Sequence, residues 1–338
     1  MKFASTNSVA SPLSPLPTIV QGPWTPEARQ AAFDRVVQEH WLAYFARAQK
    51  QRNWSPWHDL PVGEMRERGH LLSEDTTNLI EGFMGIEEYV GDYVQEGIEI
   101  FRANRTRRNM HLQWGAEEAR HAVTWELVLQ HSHARTEAQL ATYLDKIRES
   151  HWRQQQHHGV DSPLATTAYA MLQERATFFH YQEVRARVRT EYGLPSAPTH
   201  EERQRGYEFG ASEACRVVAQ DELAHHSLFL HIVRSALKYF PSRTCETLTA
   251  VFANFSMPAL RFIPNVRTYL RAVKRTNIYN GAIHTEKIHK PVLKSLGFDD
   301  QQAFEKAARR AHQVPEQCNP DELTVSRAGD WEINPSPR

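Results

Sequence analysis

The sequence predicts an all-α fold with a bundle of long helices at its core. Helix-start signals recur along the chain, in which a Ser or Thr precedes a proline or acidic residues. Several of the helices that they open are predicted to span about 30 residues, well above the mean for globular proteins. No stretch has the sustained period-two alternation that a half-buried strand needs. Long helices joined by short loops are typical of a bundle.

The predicted elements follow in order from their start signals. The helices are expected at 25–49, at 73–104, from the basic turn RANRTRRN (102–109) to 132, at 136–153, at 162–193, and from 199 through the segment that contains DELAHH. A proline-broken loop, RNWSPWHDLPVG, separates the first two helices, and the polar stretch QQQHHGVD is a predicted linker. Shorter helices are predicted to about residue 312.

These elements define the expected domain organisation. Residues 1–24 are rich in Ser and Pro and are predicted to form a flexible N-terminal arm, with a short organellar targeting peptide as the alternative. Residues 25–312 are predicted to form one domain, and residues 313–338 a poorly ordered tail.

Composition excludes several classes of protein. Forty basic residues balance forty acidic ones, which argues against nucleic acid as the main partner. No apolar run approaches the length of a membrane span. The three cysteines form no C-x-x-C pair and are too few for an all-cysteine iron–sulfur site, so a reducing cytoplasm is the simplest expectation.

Two Glu-x-x-His pairs are the most informative motif. They lie in EEARH (117–121) and DELAHH (221–226), and both segments are predicted to be helical. At helical spacing, Glu118 and His121 share the apolar stripe of their helix, and Glu222 and His225 share that of theirs. Glu117 falls to one side of the first stripe and is predicted to lie toward water.

Each pair follows a helix with one inward glutamate. Glu87 and Glu174 lie on the apolar stripes of the two preceding helices, so the order Glu, then Glu-x-x-His, occurs twice. Buried carboxylates are costly unless they are paired or bind a metal. Helix bundles with a dinuclear carboxylate site take ligands in this arrangement. Four carboxylates and two imidazoles suit iron or manganese better than structural zinc.

Further blocks make the chain resemble the acyl-[acyl-carrier-protein] desaturases. EEARH and DELAHH stand where that family has E-E-N-R-H and D-E-K-R-H, and its Q-E-R-A-T is present at 173–177. Its W-x-P-x-x-x-L-P block matches WSPWHDLP at 54–61, and M-P-A matches 257–259. The resemblance runs from about residue 50 to 260. Leu223 and Ala224 replace two basic residues of the family motif, and His226 adds a second imidazole.

The resemblance implies a ferritin-like four-helix bundle with flanking helices and a site for two iron ions. The implied ligands are Glu87, Glu118, His121, Glu174, Glu222 and His225. It places Thr177 beside the oxygen-binding face, with a hydroxyl bonded only within its own helix as the alternative. It assigns Trp54 and Asp221 to an electron relay that reaches His121, with packing as the alternative for Trp54.

The implied reaction is the O2-dependent insertion of a cis double bond into a fatty acyl chain carried by acyl carrier protein. No flavin, nicotinamide, haem or cluster motif occurs in the sequence, so a separate electron donor such as ferredoxin is expected. The acidic carrier would need a basic dock, for which 102–109 and a second basic cluster are candidates. That cluster comprises Arg267, Arg271, Lys274 and Arg275. The family also implies a homodimer.

Two other functions remain open from the sequence. One is hydroxylation or N-oxygenation of a carrier-tethered substrate on the same fold. The other is iron storage, which the Q-E-R-A-T and W-x-P blocks disfavour because storage proteins lack them.

Overall fold

The computed structural model describes residues 24–153 and 162–334, and nearly all of its regular structure is helical, which confirms the predicted fold class. The α-helices up to residue 276 are, in chain order, α1 (Pro26–Gln51), α2 (Val62–Arg68), α3 (Glu74–Glu87), α4 (Val90–Ile100), α5 (Arg105–His131), α6 (Glu137–Arg148), α7 (Pro163–Glu191), α8 (His200–Arg205), α9 (Ala211–Tyr239), α10 (Pro241–Asn254) and α11 (Val266–Thr276). Beyond them lie α12 (Gly281–Ile283), a π-helical turn (His284–His289), α13 (Lys290–Leu296) and α14 (Gln301–Arg310). The predicted arm (except Trp24) and the linker QQQHHGVD lie outside the described residues.

Capping residues set the helix starts as the sequence predicts. The side chains of Thr25, Ser73, Thr136, Ser162 and Thr199 each accept a hydrogen bond from a backbone N–H in the first turn. Such a cap satisfies one of the N–H groups that the start of a helix leaves without a partner.

Four helices form the core bundle. α3 packs on α5, α7 packs along α9, and contacts of α5 with α9 and of α3 with α7 close the bundle. α1 lies over α5 and α9, while α4 covers α5, α11 covers α3 and α10 covers α7. This is the ferritin-like bundle with flanking helices that the resemblance implies. Within the described ranges, no helix has both the length and the apolar character needed to cross a bilayer.

Two predicted helices are each divided in the structure. The helix expected at 73–104 breaks after Glu87, where the hydroxyl of Tyr93 donates to the carbonyl of Ile86 at 3.1 Å. A side chain thereby satisfies a carbonyl at the end of α3. The helix expected from Thr199 ends at Gly206, whose φ of 83° is left-handed, and the chain restarts as α9 after Gly210.

The prediction of a poorly ordered tail from residue 313 is wrong for the described part, 313–334. There, β1 (Leu323–Val325) and β2 (Trp331–Ile333) form an antiparallel hairpin. The hairpin is held to α14 because Trp331 Nε1 donates to the carbonyl of Ala307 at 2.9 Å and Leu323 is fully buried. Strands of three residues are too short to give a periodic signal.

Candidate metal centre

The four bundle helices bring the six predicted ligand residues together. α3 contributes its last residue, Glu87, and α7 contributes Glu174, while α5 and α9 each contribute a Glu-x-x-His pair. All six side chains are buried among the apolar stripes that position them.

The six residues form two overlapping groups. In each group, one potential ligand atom per residue lies within 4.8 Å of every other. The first group contains Glu87 and His121, and the second contains Glu174 and His225. Glu118 and Glu222 belong to both groups, so these two carboxylates lie between the two candidate metal positions.

The inner ring nitrogens of the two histidines face the carboxylates. Nδ1 of His121 lies 3.3 Å from an oxygen of Glu118 and 3.3 Å from an oxygen of Glu222. Nδ1 of His225 lies 2.8 Å from Glu118 Oε1 and 3.4 Å from Glu174 Oε2. The two clusters of donor atoms therefore converge on a common interior.

Several of these buried atoms make no hydrogen bond of suitable geometry, although some of them lie close to one another. They are Nδ1 of both histidines, Oε1 of Glu118, Oε2 of Glu174 and both carboxylate oxygens of Glu222. Buried polar atoms are almost always bonded, because each one left without a partner costs about 1–3 kcal/mol. A pair of metal ions would satisfy this set, so the residues present fit a dinuclear centre.

The outer ring nitrogens are held by two further carboxylates. Nε2 of His121 lies 3.3 Å from Oδ2 of Asp221, and Nε2 of His225 lies 2.8 Å from Oε2 of Glu117. Such a partner fixes the tautomer and the orientation of an imidazole, leaving the inner nitrogen free to bind a metal.

The position predicted for Glu117 is therefore wrong. Its side chain is buried, and besides His225 it accepts hydrogen bonds from the hydroxyl of Tyr44 and from Gln113. Arg52 lies 3.6 Å from the same carboxylate. The prediction failed because α1, which carries Tyr44 and ends next to Arg52, covers the side of α5 that a helical projection assigns to water.

Asp221 accepts hydrogen bonds from several groups besides His121. Trp54 Nε1 donates to it at 2.9 Å, Arg120 Nη2 at 2.8 Å and Arg52 Nη1 at 3.3 Å. The indole ring of Trp54 lies nearly parallel to the ring of His121, with 6.5 Å between centroids. Trp54, Asp221 and His121 are therefore contiguous, as the family motif implies.

Two aromatic side chains donate to the two glutamates that lie outside the Glu-x-x-His pairs. Tyr181 donates its hydroxyl hydrogen to Oε1 of Glu87, and Trp114 Nε1 donates to Oε1 of Glu174 at 2.9 Å. Sequence reasoning did not assign these roles. The signal was present, because Trp114 and Tyr181 lie on the same apolar stripes as the ligands, where a polar group needs a buried partner.

Charge is crowded inside the cluster. Burial raises the pKa of Glu87 and of Glu174 well above the usual range, and neighbouring carboxylates act in the same direction. Burial also acts to raise the pKa of Glu118, but the imidazoles of His121 and His225 outweigh it and lower that pKa to about 2. Burial lowers the pKa of each imidazole, and the acidic groups facing the rings reverse this and raise both pKa values well above the ordinary range. Four carboxylates face two imidazoles, which favours a cationic ligand.

Two other residues named from the sequence, Thr177 and His226, contact backbone carbonyls, and the role of Thr177 beside the oxygen-binding face stays a prediction. The hydroxyl of Thr177 donates to the carbonyls of Gln173 and Glu174 in its own helix, both at 3.2 Å. His226 Nδ1 lies 2.7 Å from the carbonyl of Met171, and His226 belongs to neither ligand group. His225, rather than His226, thus faces the cluster.

A narrow cavity of about 20 Å³ lies beside the cluster. Trp114 and Gln173 line it on the side of the candidate ligand Glu174. The other lining residues are Tyr93, Phe101, His111, Trp152, Thr166, Thr167, Tyr169, Ala170 and Phe229. The walls are largely apolar, and the volume is close to that of a single water molecule. A larger apolar ligand would have to displace some of these side chains.

Comparison with known proteins identifies the family. No curated relative matches the sequence. Among solved structures, the R2-like ligand-binding oxidase from Sulfolobus acidocaldarius is similar at 13% identity and a TM-score of 0.42, over 70% of this chain and 90% of that one. The family model described as fatty acid desaturase matches residues 34–319. The chain therefore belongs to the fatty acid desaturase family, in its acyl-[acyl-carrier-protein] desaturase branch, and is an oxidoreductase.

Proposed function

We propose that the chain is an acyl-[acyl-carrier-protein] desaturase in which the six clustered residues bind two iron ions. The observation that carries the proposal is the pair of overlapping ligand groups that share Glu118 and Glu222. The orphaned nitrogen and oxygen atoms of that cluster support it independently.

Two iron ions bound here would supply the chemistry that couples O2 to oxidation of an unactivated C–H bond. The overall reaction balances as one acyl CH2–CH2 unit, O2, two electrons and two protons giving a cis CH=CH unit and two waters. The sequence contains no flavin, nicotinamide, haem or cluster motif, and we infer that the two electrons come from a separate donor such as ferredoxin.

The protein orients the ligands through a surrounding layer of hydrogen bonds. Asp221 and Glu117 hold the two imidazoles by their outer nitrogens. Tyr181 and Trp114 each donate to one oxygen of a single glutamate, which restricts the rotation of that carboxylate. Orientation set in advance in this way lowers the cost of organising the site during the reaction.

The path proposed for electrons is Trp54, Asp221 and His121. Trp54 is half-buried and packs against the hydrophobic core, so its ring spans from near the surface to the carboxylate of Asp221. Arg120 stacks over the indole at 4.5 Å and also bonds Asp221, which offsets the negative charge along this path.

The acyl chain is proposed to enter the narrow cavity beside Trp114 by displacing its aromatic lining. For the carrier protein, we favour the exposed basic face of α11, with Arg267, Arg271 and Lys274. Arg275 on the same helix pairs with Asp75 and is less available. The alternative dock at 102–109 is weakened because Arg107 is buried. A homodimer in the cytoplasm is the assembly and location that accompany this proposal.

Product analysis tests the proposed reaction. Iron-loaded protein would be incubated with O2, ferredoxin, ferredoxin reductase and acyl carrier protein that bears a fatty acyl chain. The acyl product would then be examined by mass spectrometry. Loss of two hydrogens supports desaturation, whereas gain of one oxygen supports the alternative, hydroxylation or N-oxygenation. Glu118→Gln should abolish the product, and Glu126→Gln on the same helix should not.

A further inference from the structure

A second cavity, of about 300 Å³, shares the lining residue Phe101 with the cavity beside the cluster. Its walls are mainly apolar and include Phe33, Ile100, Leu164 and Phe240. The exposed side chains of Gln30 and Arg243 also line it, together with the half-buried carboxylate of Asp34. The volume lies at the lower end of the range for small-molecule sites.

Arg107 lines this cavity and is buried, with 4% of its surface exposed. Its Nη1 donates to Oγ1 of Thr167 at 2.9 Å, and its guanidinium lies 5.5 Å from the ring of Phe33 and 5.6 Å from that of Phe101. Across residues 24–153 and 162–334, no carboxylate forms an ion pair with it.

The guanidinium carries its charge in this apolar setting. Burial lowers the pKa of Arg107 to about 10, with the charge of Asp34 acting in the opposite direction, so the side chain is protonated at neutral pH. A buried cation is costly unless an anion pairs with it. A guanidinium has five N–H groups, and the bond to Thr167 uses one of those of Arg107. The other N–H groups can donate to both oxygens of a carboxylate.

We propose that this cavity binds the carboxylate of a short free fatty acid, with Arg107 pairing the carboxylate and the apolar walls holding the chain. A planar carboxylate matches the guanidinium fork, and aromatic and aliphatic walls favour a hydrocarbon chain over a hydrophilic anion. Arg243, which also lines the cavity, offsets the negative charge of Asp34, so the charge of Arg107 remains to attract an anion.

The site also touches the proposed acyl cavity. Phe101 lines both cavities, and Thr167, which accepts from Arg107, lines the cavity beside the cluster. An acid bound to Arg107 would therefore lie one side-chain layer from the proposed substrate. Binding itself requires neither iron nor turnover, so the inference stands apart from the proposed function.

Calorimetric titration of the full-length, metal-free protein with hexanoate tests this inference. We expect one hexanoate per chain, with 1-hexanol and inorganic phosphate binding more weakly. Arg107→Gln should weaken hexanoate binding by about 10–100-fold, the effect of losing a charge-assisted contact. Arg105→Gln, at an exposed arginine of the same turn, should leave binding unchanged.

Two more variants locate the ligand. Leu164→Trp, which fills the second cavity and keeps Arg107, should abolish hexanoate binding. Ala170→Phe, which fills the cavity beside the cluster, should not. The inference is overturned if hexanoate does not bind, if phosphate binds more tightly than hexanoate, if Arg107→Gln binds hexanoate as well as wild type, or if Ala170→Phe alone blocks binding.

Discussion

Nε2 of His225 lies 2.8 Å from Oε2 of Glu117, the residue that immediately precedes the candidate ligand Glu118. Two adjacent glutamates of one helix thus act on the same imidazole from opposite sides, because Oε1 of Glu118 lies 2.8 Å from its Nδ1. Tyr44 donates to the same carboxylate of Glu117 and keeps it in place. The EE pair in EEARH therefore has two distinct roles, one inside the cluster and one behind it.

Replacing Glu117 should weaken metal binding without removing it. In Glu117→Gln the charge behind His225 is lost, and the imidazole is less firmly oriented and less basic. Loss of such a partner typically lowers metal affinity or activity by about 10–100-fold. Titration of metal-free protein with Co²⁺, followed by visible absorption, measures the change. Glu126→Gln on the same helix is the control, and equal affinities for the two variants would disprove the role of Glu117.

Replacing the two adjacent histidines of DELAHH should have opposite effects on the amount of bound metal. His225→Gln should lose most of the bound metal, because Nδ1 of His225 faces three of the candidate carboxylates. His226→Gln should retain it, because His226 bonds the carbonyl of Met171 instead. Elemental analysis of both variants measures the metal that each one retains. Metal lost from His226→Gln and kept by His225→Gln would reassign the site.

Substitutions of Trp54 and Asp221 should distinguish the delivery of electrons from the binding of metal. Trp54→Leu should bind iron normally but be reduced slowly by ferredoxin, because the indole that reaches Asp221 is absent. Asp221→Asn should also weaken the orientation of His121, with a loss of about 10–100-fold in activity or metal affinity. Stopped-flow reduction of the oxidised protein measures the first effect. If Trp54→Leu is reduced as fast as wild type, Trp54 is a packing residue.

The burial and clustering of the six candidate ligands could be predicted, because the sequence of each helix alone shows which residues lie on its apolar stripe. Glu118, His121, Glu222 and His225 lie on apolar stripes, and a stripe that contains acids and imidazoles requires a buried partner. The position of Glu117 could not be predicted, because α1 packs over it from a distant part of the chain. A helical projection shows only neighbours within the same helix.

The breaks and the tail depend on tertiary contacts as well. The end of α3 after Glu87 involves the hydroxyl of Tyr93, which bonds the carbonyl of Ile86, and neither residue is a helix breaker by itself. The hairpin at 323–333 is anchored by Trp331, whose indole bonds α14. The sequence predicts that 102–109 is a basic turn and a candidate dock, yet the first turn of α5 places Arg107 inside.

A buried ion pair predicts the acid sensitivity of the fold. Arg189 is fully buried and donates to both carboxylate oxygens of Glu202 at 2.9 Å. Burial acts to raise the pKa of Glu202, but Arg189 and the N–H of Thr199 outweigh it and lower that pKa to about 2. Because the folded pKa is below the unfolded value of about 4.3, this stabilisation is complete above the unfolded value and is lost as pH falls through the folded value.

Glu202→Gln should therefore lower the thermal midpoint at neutral pH and reduce its dependence on pH in the acid range. Arg189 would keep its contact with Glu208 Oε2 at 3.3 Å, but losing the charge of its bidentate partner should still cost about 3 kcal/mol. Thermal unfolding followed by circular dichroism at a series of pH values measures both effects. Glu201→Gln, at the exposed neighbouring position, is the control. An unchanged slope of midpoint against pH in Glu202→Gln would show that the pair does not set acid stability.

The central claim is that the overlapping ligand groups hold two metal ions, and a count of bound iron tests it most directly. Metal-free protein would be titrated anaerobically with Fe²⁺, desalted and subjected to elemental analysis. The account predicts about two iron ions per chain in wild type, and loss of most of that iron in Glu118→Ala, because Glu118 belongs to both groups. One iron ion per chain, or none, in wild type after this titration would contradict it.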